Sequence, residues 1–457
     1  MLIEDCPETL RIEAMAYQGA GVARHHQGKT VFVEGAVVGD LVRLGPKPSH
    51  SAANWERYNR FELLESSPWR LTPSCAWARE CVGCPWQVVA YPQQLFWKRC
   101  FVVDSLQRIA RITEANTLVA ECVPSPAQWH YRNKLELAAT TRQGQLRLGF
   151  RKGASAGTSA GAGAGASADI CAIDNCQLFA GKEQLPAAVR GALNYALKGS
   201  SEQLVRVALR SSTQSGQLEI ALWTLAAGGG RRITARVLAD ATGASSVVRV
   251  LTSSCDARRK VRKLEILAGP GSWQERLGDL DFQVSAPSFF QVNSAGAALL
   301  QRNLTTLLRA LGIGAGSTVY DLYSGTGVFT LPLAQGQAQV HAVEALGYSL
   351  DDLRRNLRLN NLKASVIGGD AAREVKRLPP ADLAVIDPPR GGLKPPALAA
   401  LAAAQPSHIV YVSCNPTTLA RDVGKLLPLG YQLISVQPFD LFAQTYHVES
   451  MTLLSRS

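Results

Sequence analysis

The apolar residues of the second half of the chain fall in short runs that end abruptly in polar turns. Ile409 to Val412 is such a run, closed by Ser413-Cys414-Asn415-Pro416, and helical spacing resumes at Leu419. This reads as a buried strand, a tight turn and a helix. Ala384 to Arg390 (AVIDPPR) repeats the pattern, ending in an aspartate and two prolines. Thr318 to Thr330 (TVYDLYSGTGVFT) is a strand with an acidic end and a Gly-x-Gly turn into a helix, and Val340 to Glu344 supplies another acidic-ended strand. Ala295 to Leu311 has helix spacing. Strands alternating with helices predict an α/β, Rossmann-like domain over residues 271–457, with its chemistry at the carboxyl edge of the sheet.

The first half has a different rhythm. Over residues 1–65, strand candidates Leu10–Met15, Lys29–Val33 and Asp40–Leu44 are separated by five glycines, as in a small closed barrel of the oligonucleotide-binding (OB) kind. Residues 66–270 read as a β-rich central domain. Tyr91 to Ile112 is a helix whose stripe Leu95, Val102, Leu106 and Ile109 is assigned to core. Strands are expected after His130 and over 203–224 and 246–268, and Gly153 to Ala168 is a Gly/Ala/Ser-rich loop insertion.

Charge adds a partner class. The 457 residues carry a net charge of +12, with 46% hydrophobic and 18% charged residues. That surplus favours a polyanion such as nucleic acid over plain solubility charge. Arg24, His25, His26 and Lys29 share one loop, Arg132 and Lys134 share one strand face, and Asp256 to Lys263 holds five basic residues. Each is either a phosphate contact or a solvated surface. Met1 to Cys6 lacks a basic start, and no apolar stretch is long enough for a bilayer, so a cytoplasmic protein without membrane contact is expected.

Ten cysteines without a secretory signal suggest ligands, free thiols or a nucleophile. Cys75, Cys81 and Cys84 form a Cys-x5-Cys-x2-Cys set that needs a fourth ligand; Cys176 is the choice and Cys171 the rival. The spacing suits an iron–sulfur cluster better than zinc, which stays open. Cys6, Cys100, Cys122 and Cys255 read as ordinary thiols. Glu344 lies 23 residues after Asp321, where a carboxylate takes ribose hydroxyls. Thr330 replaces the third glycine of a dinucleotide fingerprint, which favours adenosine with a compact charged tail, such as S-adenosylmethionine.

FFQVN, DLYSGTGVFTLPLA, VIDPPRGGL, VSCNPTTLARD and HVESM, in this order, resemble the RNA uracil-C5 methyltransferases, which make 5-methyluridine. The cysteine set and the N-terminal barrel, similar to a TRAM domain, extend the resemblance to the iron–sulfur branch that acts on 23S ribosomal RNA. The resemblance implies Cys414 as nucleophile and Glu449 as general base. It implies Gln291, Tyr323, Glu344, Asp370 and Asp387 as holding S-adenosylmethionine, with Val328 where some members carry Asn. It implies Cys75, Cys81, Cys84 and Cys176 as ligands of a [4Fe-4S] cluster, Arg132 as a basic residue near the target base, and RNA as the partner of a monomer. The chemistry is coherent: a thiolate adding to uracil C6 gives C5 the carbanion character it needs to attack a sulfonium methyl. A local field that raises the thiolate fraction is expected around Cys414. The alternatives are the same reaction on transfer RNA, a non-catalytic RNA-binding protein, and a nicotinamide oxidoreductase.

Overall fold

Apolar runs with no polar alternation are what a parallel sheet covered on both faces requires. The computed structural model describes residues 8–26, 28–151, 170–197, 204–225, 231–253 and 260–456. The Gly/Ala/Ser-rich insertion, Cys6, Cys255 and the first four residues of Asp256 to Lys263 lie outside the described residues.

The C-terminal half forms a seven-stranded sheet of β1 (Thr318–Leu322), β2 (Gln339–Glu344), β3 (Ser365–Gly368), β4 (Leu383–Ile386), β5 (His408–Ser413), β6 (Tyr431–Phe439) and β7 (Glu449–Arg456). Their order is 3-2-1-4-5-7-6. β1 to β5 are parallel, and β7 runs antiparallel to both β5 and β6. β4 is buried at every position, as its sequence LAVI demands. The order reverses at β1, which opens a crevice at the carboxyl ends of β1 and β4.

Residues 9–65 form a five-stranded and a three-stranded sheet. Ile12, Val31, Val33, Val42 and Leu44 from both sheets fill one core. Three of the loop's four basic side chains meet carboxylates of this unit: His25 and His26 face Glu8 at 2.6 and 2.9 Å, and Lys29 bonds Glu56 at 2.9 Å. A further seven-stranded sheet runs from Lys134 to Ala268, with helices Leu185–Ala196 and Arg231–Thr242 packed together on its core. Arg132 and Lys134 do not lie on an exposed face of it. Lys134 is held by Glu136 at 2.6 Å with its side chain mostly covered, and Arg132 packs inward, because a carboxylate and a cluster of thiols stand beneath that face.

Helix Tyr91–Arg108 forms as the spacing predicts, but its buried face is not the expected stripe. Val102 and Leu106 are buried, whereas Ile109 is 44% exposed at the C-cap. Polar Gln94 and Lys98 take the covered places instead. Lys98 donates to Asp440 at 2.5 Å, and neither side chain reaches solvent. The Tyr91 hydroxyl donates to the other Asp440 oxygen at 2.9 Å. Gln94 exchanges hydrogen bonds with the side chain and backbone of Gln444. The helix thereby clamps the loop 440–448 that leads into β7. The barrel docks on the same loop. Tyr17 meets Tyr446 edge-on at 6.0 Å, and Trp86 donates to the Gly19 carbonyl. Gly19 has φ +97°, and a Cβ there would lie 2.9 Å from the Tyr446 ring, so glycine is required.

Removing the cation from a buried ion pair leaves the carboxylate uncompensated. Lys98→Met should cost about 3–5 kcal/mol and lower the urea unfolding midpoint of the chain. An unchanged midpoint would show that the clamp is dispensable.

Candidate active site

Each strand of the crevice delivers one polar residue at its carboxyl end. Tyr323 follows β1 with φ +65°, a left-handed turn that lets its amide and that of Ser324 both donate to the Val343 carbonyl. Gly325 and Gly327 have φ +55° and +99°. At Gly327 a Cβ would strike Leu331 and Leu353, which explains the Gly-x-Gly spacing. Glu344 ends β2 and accepts from the amides of Gly325 at 2.9 Å and Leu346 at 2.7 Å, tying the two strand-end loops together. Asp370 follows β3 and caps a short helix by accepting from Ala372. Its charge faces Tyr323. Gln291 is buried, and its carbonyl accepts from Asn133 at 2.8 Å.

Asp387 stands directly after β4, and Cys414 directly after β5. Glu449 is the first residue of β7. The antiparallel register pairs Ser413 with Ser450, so Cys414 and Glu449 are the next residues facing each other across these strands. Thirty-five positions of chain separate them in sequence, and one register closes the gap. Asn415 caps the following helix by accepting from Thr417, with Pro416 at its first turn, so the SCNP turn is a strand end and helix cap in one.

The field around Cys414 differs from the expectation. Burial first, then the charges of Glu449 and Asp387, push its thiol up to about 12, with Arg390 the opposing cation. The lining of the crevice therefore disfavours the Cys414 thiolate. The two carboxyls respond to the same burial, and Glu449 also to the charge of Asp387. Asp387 is pushed up to about 7, by burial and by Asp321, and Glu449 lies well above the usual carboxylate range. Asp321, at the end of β1, is also pushed up to about 7 by burial, with one oxygen bonded to the Thr330 hydroxyl and the other without a partner. Arg390, Tyr17 and Tyr446 were not singled out as site residues from the sequence. Arg390 faces both tyrosines and the thiol. The polar end of AVIDPPR was the one signal for it; nothing in the sequence marks Tyr17.

Cys75, Cys81, Cys84 and Cys176 line one cavity together with Arg132. Cys171 sits in the adjacent strand Ile170–Ala172 at 1% exposure and does not line it. Two segments are laced together around the thiols: Ser74 with Gln177, and Trp77 with Asn175. Burial pushes Cys81 up to about 11 and Cys84 up to about 12, and the thiols raise one another. The Arg132 guanidinium faces Cys84 and Cys176, and its buried Nε has no partner.

This strand order, with acidic residues at the ends of the first two strands, defines a class I S-adenosylmethionine-dependent methyltransferase. Residues 276–457 match the family model described as tRNA (uracil-5-)-methyltransferase. An RNA methyltransferase of Caldanaerobacter subterraneus is 32% identical over 98% of this chain and 98% of its own. One from Geobacter sulfurreducens is 33% identical over 97% and 89%. The crystal structure of Pyrococcus abyssi tRNA (uracil-54, C5)-methyltransferase with S-adenosyl-L-homocysteine is similar at a TM-score of 0.74 and 25% identity, covering 98% of this chain and 100% of that one. The chain belongs to the RNA uracil-5-methyltransferase family and is an S-adenosylmethionine-dependent enzyme. Among the described residues, no helix is long and apolar enough to cross a membrane.

The raised carboxyls have a consequence for stability. A group whose folded pKa exceeds its unfolded one contributes stability at low pH that fades as pH rises through the folded value. For Asp387 that window runs from about 4 to about 7. Asp387→Asn removes the titration, so its cofactor-free unfolding free energy should fall less between pH 4 and 8 than that of the wild type. Parallel pH profiles in urea would reject the assignment.

Proposed function

We propose that the chain methylates C5 of a uridine in 23S ribosomal RNA, with Cys414 as nucleophile and Glu449 as general base. The observation that carries this is the register that sets Cys414 opposite Glu449, beside Asp387, at the mouth of the crevice. The cofactor, when bound, supplies an electrophilic methyl on a positively charged sulfonium. Gln291, Tyr323, Glu344, Asp370 and Asp387 form its binding wall. Arg390 favours the thiolate against Glu449 and Asp387. Once its proton has passed to solvent, the Cys414 thiolate bonds to uracil C6 and the C5–C6 electron pair moves to C5. C5 takes the methyl as the sulfonium leaves as a neutral thioether. The Glu449 carboxylate then removes the C5 proton, the C5–C6 double bond re-forms, and the sulfur leaves C6 as thiolate. A carboxyl raised by burial is a stronger base than an exposed one, which suits Glu449 to this step.

The ribosomal reading includes a [4Fe-4S] cluster on Cys75, Cys81, Cys84 and Cys176 and a TRAM-like barrel over residues 1–65, ahead of a central domain over 66–270 and a catalytic domain over 271–457. The donor set fits a cluster. The four thiols would ionise on binding it and give Arg132, whose buried Nε has no partner, a counter-charge. Its place in the fold is structural, since it joins the segments around 75–84 and 176, and methyl transfer needs no electrons. The second reading, transfer RNA, is favoured by the Pyrococcus abyssi structure, whose named substrate is tRNA and which aligns along the whole chain.

Incubating the protein with methyl-labelled cofactor and unmodified total RNA should label one uridine in 23S ribosomal RNA; label in transfer RNA alone would favour the second reading. Cys414→Ala should abolish transfer and keep cofactor binding, and unchanged turnover would reject the nucleophile. Glu449→Gln should accumulate a covalent protein–RNA species on a denaturing gel. Anaerobic preparation should yield a brown protein with about four irons per chain; one zinc instead would reject the cluster.

A further inference from the structure

A second concavity is lined by neither Cys414 nor Glu449, nor by any of the four clustered cysteines. It is an open groove of about 830 Å³ between the central sheet and the start of the helix Gly347–Leu359. Its walls combine flat rings with cations. Phe150, Trp223 and Tyr348 line it, as do Arg151, Arg206 and Lys260. Arg206 lies 3.8 Å over the Trp223 ring and bonds Glu136 at 2.6 Å. Glu136 is the one acidic side chain lining the groove among the described residues. It is already shared between Lys134 and Arg206, both at 2.6 Å, so the groove keeps a positive surplus. Burial pushes the Glu136 carboxyl up, and those two cations outweigh it and hold it down at about 2, so it adds no titration near neutrality.

Aromatic planes interleaved with cations are the surface that takes an unpaired polynucleotide, with bases on the rings and phosphates on the cations. An apolar peptide would leave Arg151 and Lys260 unused. Two segments lead from the groove toward the crevice. Pro287 lines it, and four residues further along the same segment Gln291 lies at the cofactor wall proposed above. Between them Phe289 is 61% exposed. The opposite wall begins at Leu346, two residues beyond Glu344.

We propose that this groove holds a single-stranded segment of the substrate RNA flanking the target uridine, with phosphates on Arg151 and Lys260. The proposal rests on the RNA-methyltransferase reading of the crevice. Its role is to keep the strand unpaired so that the target base can leave its stack, a step that costs a few kcal/mol.

The test uses the full-length holoenzyme with in-vitro-transcribed 23S ribosomal RNA. Arg151→Glu combined with Lys260→Glu alters two exposed side chains, and its unfolding midpoint is compared with the wild type. Loss of two phosphate contacts should raise KM for RNA roughly tenfold and flatten the log K against log salt slope by about 1.4. An unchanged KM and slope would overturn the groove while leaving methyl transfer by the wild type intact. Failure of the wild type to methylate any RNA would instead sink the activity. In a second arm, p-benzoylphenylalanine replaces Tyr348 and the complex is irradiated. Adducts to nucleotides near the methylated uridine support the proposal. Adducts to residues 153–168 of the same chain, or to a second copy, would overturn it.

Discussion

Lys98 and Asp440 meet where neither touches water, and the active-site geometry hangs on that meeting. The loop 440–448 carries no regular structure of its own, yet it must deliver Glu449 at one fixed register against Cys414. Lys98, Tyr91 and Gln94 from one helix face hold it, and Tyr131 adds a bond to the Ala443 carbonyl. Separated by more than three hundred residues in sequence, the two partners are a long-range constraint that no local propensity supplies. Such a pair is weak in net stability when whole and costly when halved, which makes it a device for specifying one arrangement.

The catalytic site places three carboxyls, Asp321, Asp387 and Glu449, in one buried region with few cations. All three are pushed upward, and the thiol is pushed with them. The crevice thus disfavours charge on all four groups. A positive group entering the crevice would favour the Cys414 thiolate, so a bound cofactor would act on the field of the proposed nucleophile as well as on its target carbon. An arrangement of this kind also limits side reactions of the thiol while the site stands open.

Much of this was legible in the sequence because parallel sheets write themselves plainly. The runs at 318–322, 340–344, 384–386 and 409–412 are strands, and each polar end sits at the crevice. The pairing of Cys414 with Glu449 was not legible from pattern, since antiparallel register is set by the whole of β5 and β7. The helix at Tyr91 was found, but its buried face was misread. Hydrophobicity ranks Ile109 above Lys98, and only a distant aspartate reverses that order. Arg132 and Lys134 failed in the same way: alternation indicates a shared face without saying what covers it.

The docking of Gly19 and Tyr17 against Tyr446 has a consequence for how the molecule could be shortened. Truncation of the first 65 residues would strip an aromatic wall from the segment three residues upstream of Glu449 and bare Phe101 and Trp86 to solvent. The N-terminal module is therefore masonry of the crevice rather than a detachable handle, and a minimal methyltransferase cut from this chain would inherit an unbuttressed Glu449.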